Sequence, residues 1–209
     1  LRTHGTDHLL AAAGEAGVGR FVAQSFTGWP NERTGGPVKT EEDPIDPDPT
    51  AASRETVAAI RHVEQATMDA GGLALRYGGL YGPGNVIGKG GELLTMVQDG
   101  KLPLVGGGTG VWSFVHVDDA ARAIVLLLAH PSPDADDGPI FNIGSNAENY
   151  TIGQIAELVR RCVPTACVMV GSPDGELRNY RVKFDKIAHV LDFRAACSVD
   201  QGIKEVAAL

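Results

Sequence analysis

Residues 73–85 read Leu-Ala-Leu-Arg-Tyr-Gly-Gly-Leu-Tyr-Gly-Pro-Gly-Asn, and this stretch decides the fold of the chain. A short apolar run ends at Arg76 and passes into a loop that contains four glycines and one proline. The pattern predicts a buried strand that leaves its sheet at the carboxyl end. Ligands of open α/β sheets bind at that edge, so the residues that follow this strand are the first candidates for a site.

Helical and extended patterns alternate on both sides of this strand. Amphipathic or apolar periodicity predicts helices over residues 1–17, 53–70, 91–99 and 119–129, with further helices after two capping boxes, Thr151/Gln154 and Ser198/Gln201. The helix at 119–129 is apolar nearly all round and is expected to be buried, with Asp118 as its N-cap. Extended segments are predicted at 18–25, 102–105, 111–117 and 140–144. This alternation indicates an α/β domain with a mostly parallel sheet.

Composition narrows the classes of partner. The chain has 209 residues, 43% of them hydrophobic, and a net charge of -8, without any run of lysine and arginine. This balance argues against nucleic acid or an anionic membrane as a partner, and the longest apolar run, 123–129, is too short to span a bilayer. The cysteines, Cys162, Cys167 and Cys197, lack metal-ligand spacing, so we expect reduced thiols, no bound metal and a cytoplasmic protein.

Residues 28–50 contain five prolines and several acids and show no periodicity. A stretch of this length inside a compact domain is typical of a functional loop, such as a lid over a site. A solvated connector explains the same composition, and the sequence leaves both interpretations open.

The run Leu-Arg-Tyr-Gly-Gly-Leu-Tyr-Gly-Pro-Gly at 75–84 resembles the nucleotide-sugar epimerase and dehydratase branch of the short-chain dehydrogenase/reductase family. Residues 113–123, 141–145 and 178–187 resemble segments of its substrate lobe. The resemblance covers essentially the whole chain. It implies a partial Rossmann-like doubly wound parallel sheet with a small C-terminal α/β substrate lobe. Residues 1–85 would be the C-terminal part of an NAD(P)-binding domain, and 86–209 mainly the substrate lobe, with one strand at about 140–144 returning to the main sheet.

The glycine fingerprint of dinucleotide-binding folds, Gly-x-Gly-x-x-Gly between a strand and a helix, is not found in that context. The resemblance explains this, because it starts after the first βαβ units of the family's fold. We therefore expect the chain to be a fragment of a longer protein, with a remnant that has lost its cofactor half as the alternative.

The resemblance also implies the site residues. The family's Tyr-x-x-x-Lys pair falls on Thr56 and Ile60, neither of which can do its chemistry, as in atypical members of the family. The catalytic serine or threonine slot falls on Phe26 or, with a slip of one residue, on Thr27. The catalytic candidates are therefore Thr27, Ser25 and Tyr77, the last with a phenolate favoured by the neighbouring arginine. The cofactor-binding candidates are Gln24, Ser25, Arg76, Tyr77, Gly78 and Gly79, and the substrate-binding candidates are Asn85, Trp112 and Arg178.

These features predict an NAD- or NADP-dependent oxidoreductase or epimerase-like protein that acts on a nucleotide sugar or a similar polar alcohol or carbonyl compound. A non-catalytic dinucleotide-binding or scaffold module of the same fold, or a truncated remnant, fits the lost Tyr/Lys pair equally well. The family usually dimerises through the helices that correspond to 1–17 and 53–70, so a homodimer is expected, although the apolar stripe of the second helix also fits an internal core.

Overall fold

The computed structural model describes residues 2–32, 36–84, 91–129, 138–170 and 179–208. In chain order the elements are α1 (Arg2–Glu15), β1 (Val22–Phe26), β2 (Val38–Lys39), α2 (Arg54–Asp69), β3 (Leu73–Tyr77), β4 (Gly79–Tyr81), α3 (Glu92–Gln98), β5 (Lys101–Leu104), a 3-10 helix (Val105–Gly108), β6 (Val111–His116), α4 (Val117–Ala129), β7 (Ile140–Ile143), β8 (Asn149–Thr151), α5 (Ile152–Cys162), β9 (Cys167–Val170), β10 (Arg181–Val182), α6 (Asp185–Leu191) and α7 (Val199–Ala207).

The main sheet consists of three parallel strands in the order β1-β3-β7. Every residue of β3 is buried, as expected for the central strand of a parallel sheet covered on both faces. Leu73, Leu75 and Tyr77 from this strand join Phe141 and Ile143 of β7 in the largest apolar cluster of the described residues. The α/β fold with parallel strands that the sequence predicted is therefore confirmed.

Strands β4, β5, β6, β8 and β9 form smaller sheets, which together with α3, α5 and α7 we call the second lobe. Strands β4, β6 and β8 form a three-stranded sheet, with β4 parallel and β8 antiparallel to β6. Strands β5 and β9 form a parallel pair, and α3, α5 and α7 lie around these strands. The two predicted capping boxes are confirmed: the side chains of Thr151 and Ser198 accept from the backbone N–H groups three residues on, at 3.0 and 3.3 Å.

Two expectations about α4 are wrong. The helix begins at Val117, so Asp118 lies within its first turn rather than at the N-cap. The helix is also not buried all round: Val125 and Leu128 are 64% and 50% exposed. Its apolar composition does not distinguish a buried helix from one that presents a broad apolar face to the surface.

The predicted loop at 28–50 is partly ordered by strand pairing. Within its described residues, β2 pairs in parallel with β10, and Asn31 forms an isolated bridge with Ile45. In the described part of the chain, no helix combines the length and the apolar character that crossing a membrane requires.

Candidate functional site

Polar side chains converge where β1 and β3 end. Ser25 and Arg76 are register partners on these neighbouring strands, so both side chains point towards α2, which packs on this face of the sheet. Glu64 of α2 lies between them. Its carboxylate accepts from Ser25 Oγ at 2.5 Å and from Arg76 Nε and Nη2 at 2.8 Å each. All three residues are buried, so this is a desolvated, two-pronged ion pair with an added hydroxyl donor.

The same arginine holds the proline-rich loop. Arg76 Nη1 donates to the backbone carbonyls of Glu41 and Asp43 at 3.4 and 3.2 Å. The side chain of Glu41 in turn accepts from the backbone N–H of Asn142 at 2.8 Å. Burial raises the pKa of Glu41 above its usual range, against the opposing effect of the hydrogen bond from Asn142. The loop is thereby fastened to the ends of two strands, and its role as a lid stays a prediction.

Thr27 and Gly28 continue from β1 into a tight turn. Thr27 is fully buried, and its backbone N–H donates to the carbonyl of Tyr77 at 3.0 Å. The side chain of Asn31 closes the turn: its Oδ1 accepts from Gly28 N at 2.7 Å, and its Nδ2 donates to Asp43 O at 3.0 Å. Sequence reasoning missed Asn31, because its side chain bonds backward to Gly28, whereas the familiar Asx turn is recognised by a bond to the backbone two residues further on.

Tyr77 is 3% exposed, and its hydroxyl has no hydrogen-bond partner among the described residues. Burial raises the pKa of this phenol. The expectation that Arg76 favours its phenolate is wrong, because the guanidinium is paired with Glu64 and alternation along the strand sends the two side chains to opposite faces. Tyr77 is therefore a protonated phenol, and no described residue accepts from its hydroxyl.

The helical positions where the family's tyrosine and lysine belong have other uses here. Thr56 is exposed on α2. Ile60 is 1% exposed and packs with Ile45 of the loop and with Val57, beside Phe26 and Trp29. An apolar contact with the loop therefore occupies the place of the lysine.

The other predicted contacts divide into three groups. Gln24 is exposed on β1. Gly78 and Gly79 run against β6, where a Cβ atom would lie 2.5 Å from Ser113 and 2.9 Å from the ring of Phe114, so packing alone explains both glycines. Their contact with a cofactor, like that of Arg76 and Gln24, stays a prediction. The predicted substrate residues Asn85 and Arg178 lie outside the described residues.

Trp112 is connected to the strand ends through one aromatic ring. Gly28 has a φ of +84°, and a Cβ added there would lie 1.9 Å from the ring of Tyr180. Tyr180 stacks on Trp112 with 6.5 Å between ring centroids and 19° between planes. The turn after β1 and the second lobe therefore meet across Tyr180, a residue that the sequence analysis did not select as a ligand-binding candidate.

A second polar group joins β6 to α7. His116 Nδ1 accepts from the backbone N–H of Asp118 at 3.2 Å, so the neutral ring carries its proton on Nε2 and donates to Glu205 at 3.0 Å. Together with the thiol of Cys197, His116 and Glu205 form a group of three possible metal ligands whose ligand atoms lie within 4.8 Å of one another. These hydrogen bonds already account for both nitrogens of His116, and they fasten the terminal helix to the sheet.

The chain is similar to proteins of one known family. The sequence pattern of the NAD dependent epimerase/dehydratase family matches residues 2–144. A 3-diazoavenalumate denitrifying reductase of a Streptomyces species is 48% identical over 135 residues, which cover 61% of this chain and 43% of the reductase. The dTDP-glucose 4,6-dehydratase of Streptomyces griseus is 29% identical over 222 aligned residues, covering 96% of this chain and 61% of the dehydratase.

Among solved structures, the dTDP-glucose 4,6-dehydratase of Streptomyces venezuelae, determined with NAD bound, has a TM-score of 0.77 and 25% identity. The match covers 99% of this chain and 64% of that one. The chain thus spans less than two thirds of the length of each of these relatives.

Proposed function

Because the chain belongs to the NAD dependent epimerase/dehydratase family, we propose that it is part of an NAD- or NADP-dependent oxidoreductase or epimerase-like enzyme. Residues 1–85 supply the C-terminal part of the dinucleotide-binding domain, and residues 86–209 mainly the substrate lobe. The substrate suggested by the dehydratase relatives is a nucleotide sugar or a similar polar alcohol or carbonyl compound. The observation that carries the proposal is that buried hydroxyls lie at the carboxyl ends of β1 and β3, that of Ser25 on the face covered by α2 and that of Tyr77 on the opposite face, with Thr27 in the turn after β1.

These residues fit the reactive end of a dinucleotide rather than its pyrophosphate. The hydroxyl of Tyr77 is buried without a partner among the described residues, as expected of a group that meets a ligand. The glycine-rich turn that binds pyrophosphate has no counterpart in this sequence, so this chain's contribution is to the nicotinamide and substrate side. The nicotinamide, when bound, exchanges a hydride with the substrate.

The side chains then have distinct tasks. Tyr77 stays protonated because its pKa is raised by burial, so it donates a hydrogen bond or a proton to a substrate oxygen rather than acting as a base. The hydroxyl of Thr27 donates to Asn31 Oδ1 at 3.5 Å, so it offers a ligand only its lone pairs and is held by the turn that Asn31 closes. Ser25 is a positioning residue, since its hydroxyl is already donated to Glu64.

A non-catalytic dinucleotide-binding module is the second candidate. It is favoured by Thr56 and Ile60, which stand where the family's acid/base pair belongs, and by the packing of Ile60 against the loop. Such a module would bind the cofactor without turnover.

Titration of the protein with NADH and NADPH, followed by an assay of hydride transfer, separates these candidates. We expect Tyr77→Phe to reduce turnover by about 100-fold, the range of a lost proton donor, and Thr27→Val to reduce it in the same direction, with cofactor affinity retained. Tyr150→Phe, outside this edge, is the matched control and should leave turnover unchanged. Cofactor binding without turnover would support the module, and a folded protein that binds neither cofactor would contradict both candidates.

We also propose that the protein acts in the cytoplasm as a homodimer, without nucleic acid or membrane partners. The support for a dimer is α1, none of whose residues is buried and whose Leu9 is 62% exposed, although it packs along α2. Light scattering on the protein and on Leu9→Lys tests this. A monomeric wild type would contradict it.

A further inference from the structure

The second lobe contains a cavity of about 280 Å³ between α3, α5, α7 and the strands β4 and β6. Aromatic side chains form one wall, namely Tyr81, Trp112 and Phe114. Aliphatic side chains from the three helices, such as Leu94, Val159 and Ile203, form the remainder.

This lining has no charge. Among the described residues, every side chain that borders the cavity is aliphatic or aromatic, and the hydroxyl of Tyr81 is donated to the carbonyl of Cys197 at 3.2 Å. A diphosphate placed here would lose its hydration without gaining a cationic partner from these residues, which is strongly unfavourable. The described lining therefore disfavours the diphosphate of a nucleotide sugar and suits an uncharged group.

The lining residues also remain partly accessible to solvent. Trp112, Phe114 and Val159 are half-buried, and Leu93 is 38% exposed, although they face one another across the cavity. Binding of an apolar ligand in this space would remove these apolar surfaces from water, which is favourable.

The cavity shares a wall with the proposed active site. Trp112 lines the cavity and stacks on Tyr180, whose ring packs on Gly28 in the turn directly after Thr27. A ligand held by Trp112 is thus separated from the turn after Thr27 by two stacked rings, those of Trp112 and Tyr180.

We propose that this cavity binds an uncharged aromatic or cyclic apolar group of the enzyme's substrate, in place of a nucleotide. The proposal rests on the proposed function and specifies its substrate class: an alcohol or carbonyl compound that carries such a ring. The volume accommodates one ring with a short chain. The reductase relative, at 48% identity, is independently named for a substrate other than a nucleotide sugar.

Isothermal titration calorimetry with cinnamyl alcohol, an uncharged ring with a short chain, tests the proposal against UDP-glucose. We expect cinnamyl alcohol to bind with a negative heat-capacity change, the mark of buried apolar surface, and UDP-glucose neither to bind tightly nor to displace it. Ala156→Phe, which fills the cavity from the middle of α5, should weaken binding about tenfold or more. Ala121→Phe, on the exposed face of α4, makes the same change outside the cavity and should leave binding unchanged.

Wild-type selectivity keeps the test decisive if Ala156→Phe fails to fold. Tight binding of UDP-glucose, no binding of cinnamyl alcohol, or equal weakening of binding by Ala156→Phe and Ala121→Phe would overturn the proposal. NADH titration of the same samples distinguishes a failure of the cavity assignment from a failure of the proposed function. Binding of NADH without cinnamyl alcohol would overturn only the cavity assignment, and binding of cinnamyl alcohol without NADH or NADPH would overturn only the proposed function.

Discussion

Replacement of Glu64 by glutamine is the most direct test of how the strand ends are held together. Glutamine keeps the volume of the side chain and an oxygen that can accept from Ser25, but it removes the charge that faces Arg76. The guanidinium, 2% exposed, would then be buried without a counter-ion and would have an amide N–H₂ group in place of one carboxylate oxygen.

The structure supports a large effect. Two charge-assisted hydrogen bonds of 2.8 Å are altered together in a desolvated position, and breaking a buried pair by removing one partner costs about 3–5 kcal/mol. With a urea slope of about 3 kcal/mol/M, the unfolding midpoint should fall by roughly 1–1.7 M. Urea unfolding followed by circular dichroism measures this shift.

A double-mutant cycle separates the pair from its surroundings. Glu64→Leu combined with Arg76→Met removes both charges, so the double variant should lose less stability than the sum of the two single variants. Glu157→Gln is the matched control, because Glu157 also pairs with an arginine, Arg161 at 3.4 Å, but on an exposed helical face where its side chain is 52% exposed. That control should change stability by at most about 0.5 kcal/mol. An effect of Glu64→Gln no larger than the control, or strict additivity in the cycle, would refute the reasoning.

Three further predictions concern the loop, the turn and a helix cap. Burial raises the pKa of Glu41 in the folded state, so the folded protein binds this proton more tightly than the unfolded chain does. The stability of the wild type, compared with that of Glu41→Gln, should therefore fall as the pH rises through that pKa. If the urea midpoints of the two proteins differ by the same amount at acidic and at neutral pH, the prediction is contradicted. Gly28→Ala should cost about 3 kcal/mol or more, because alanine is strained at this φ and its methyl group overlaps Tyr180; an unchanged melting temperature would count against the contact. Thr151→Ala should cost about 1 kcal/mol through loss of the capping box, measured by urea unfolding, with Thr151→Ser retaining most of it.

The predictions from the sequence succeeded where the determining interactions are local. The apolar run at 73–75 is followed within a few residues by glycines at 78 and 79, and the structure has a buried strand over 73–77. The two capping boxes need only residues three apart, and both form. The family membership follows from segments that can be read off the chain in order, and the family match covers residues 2–144.

The details of the site depended on contacts between residues that are distant in sequence. The charge of Arg76 was visible at the end of the apolar run, but its partner is Glu64 on a separate helix, so the expected effect on Tyr77 did not arise. Likewise α4 looks buried by composition, and only the packing of neighbouring elements decides which of its apolar side chains are covered.

The sequence by itself thus determined the type of layered α/β domain, its family and the edge of the sheet that carries the polar residues. Only the tertiary structure decided which side chains at that edge are already engaged, and that an uncharged cavity adjoins it across Tyr180 and Trp112. The physical reason is the range of the interactions. Periodicity and capping act within a few residues, whereas burial, ion pairing and cavity shape are set by residues that meet only after the chain has folded.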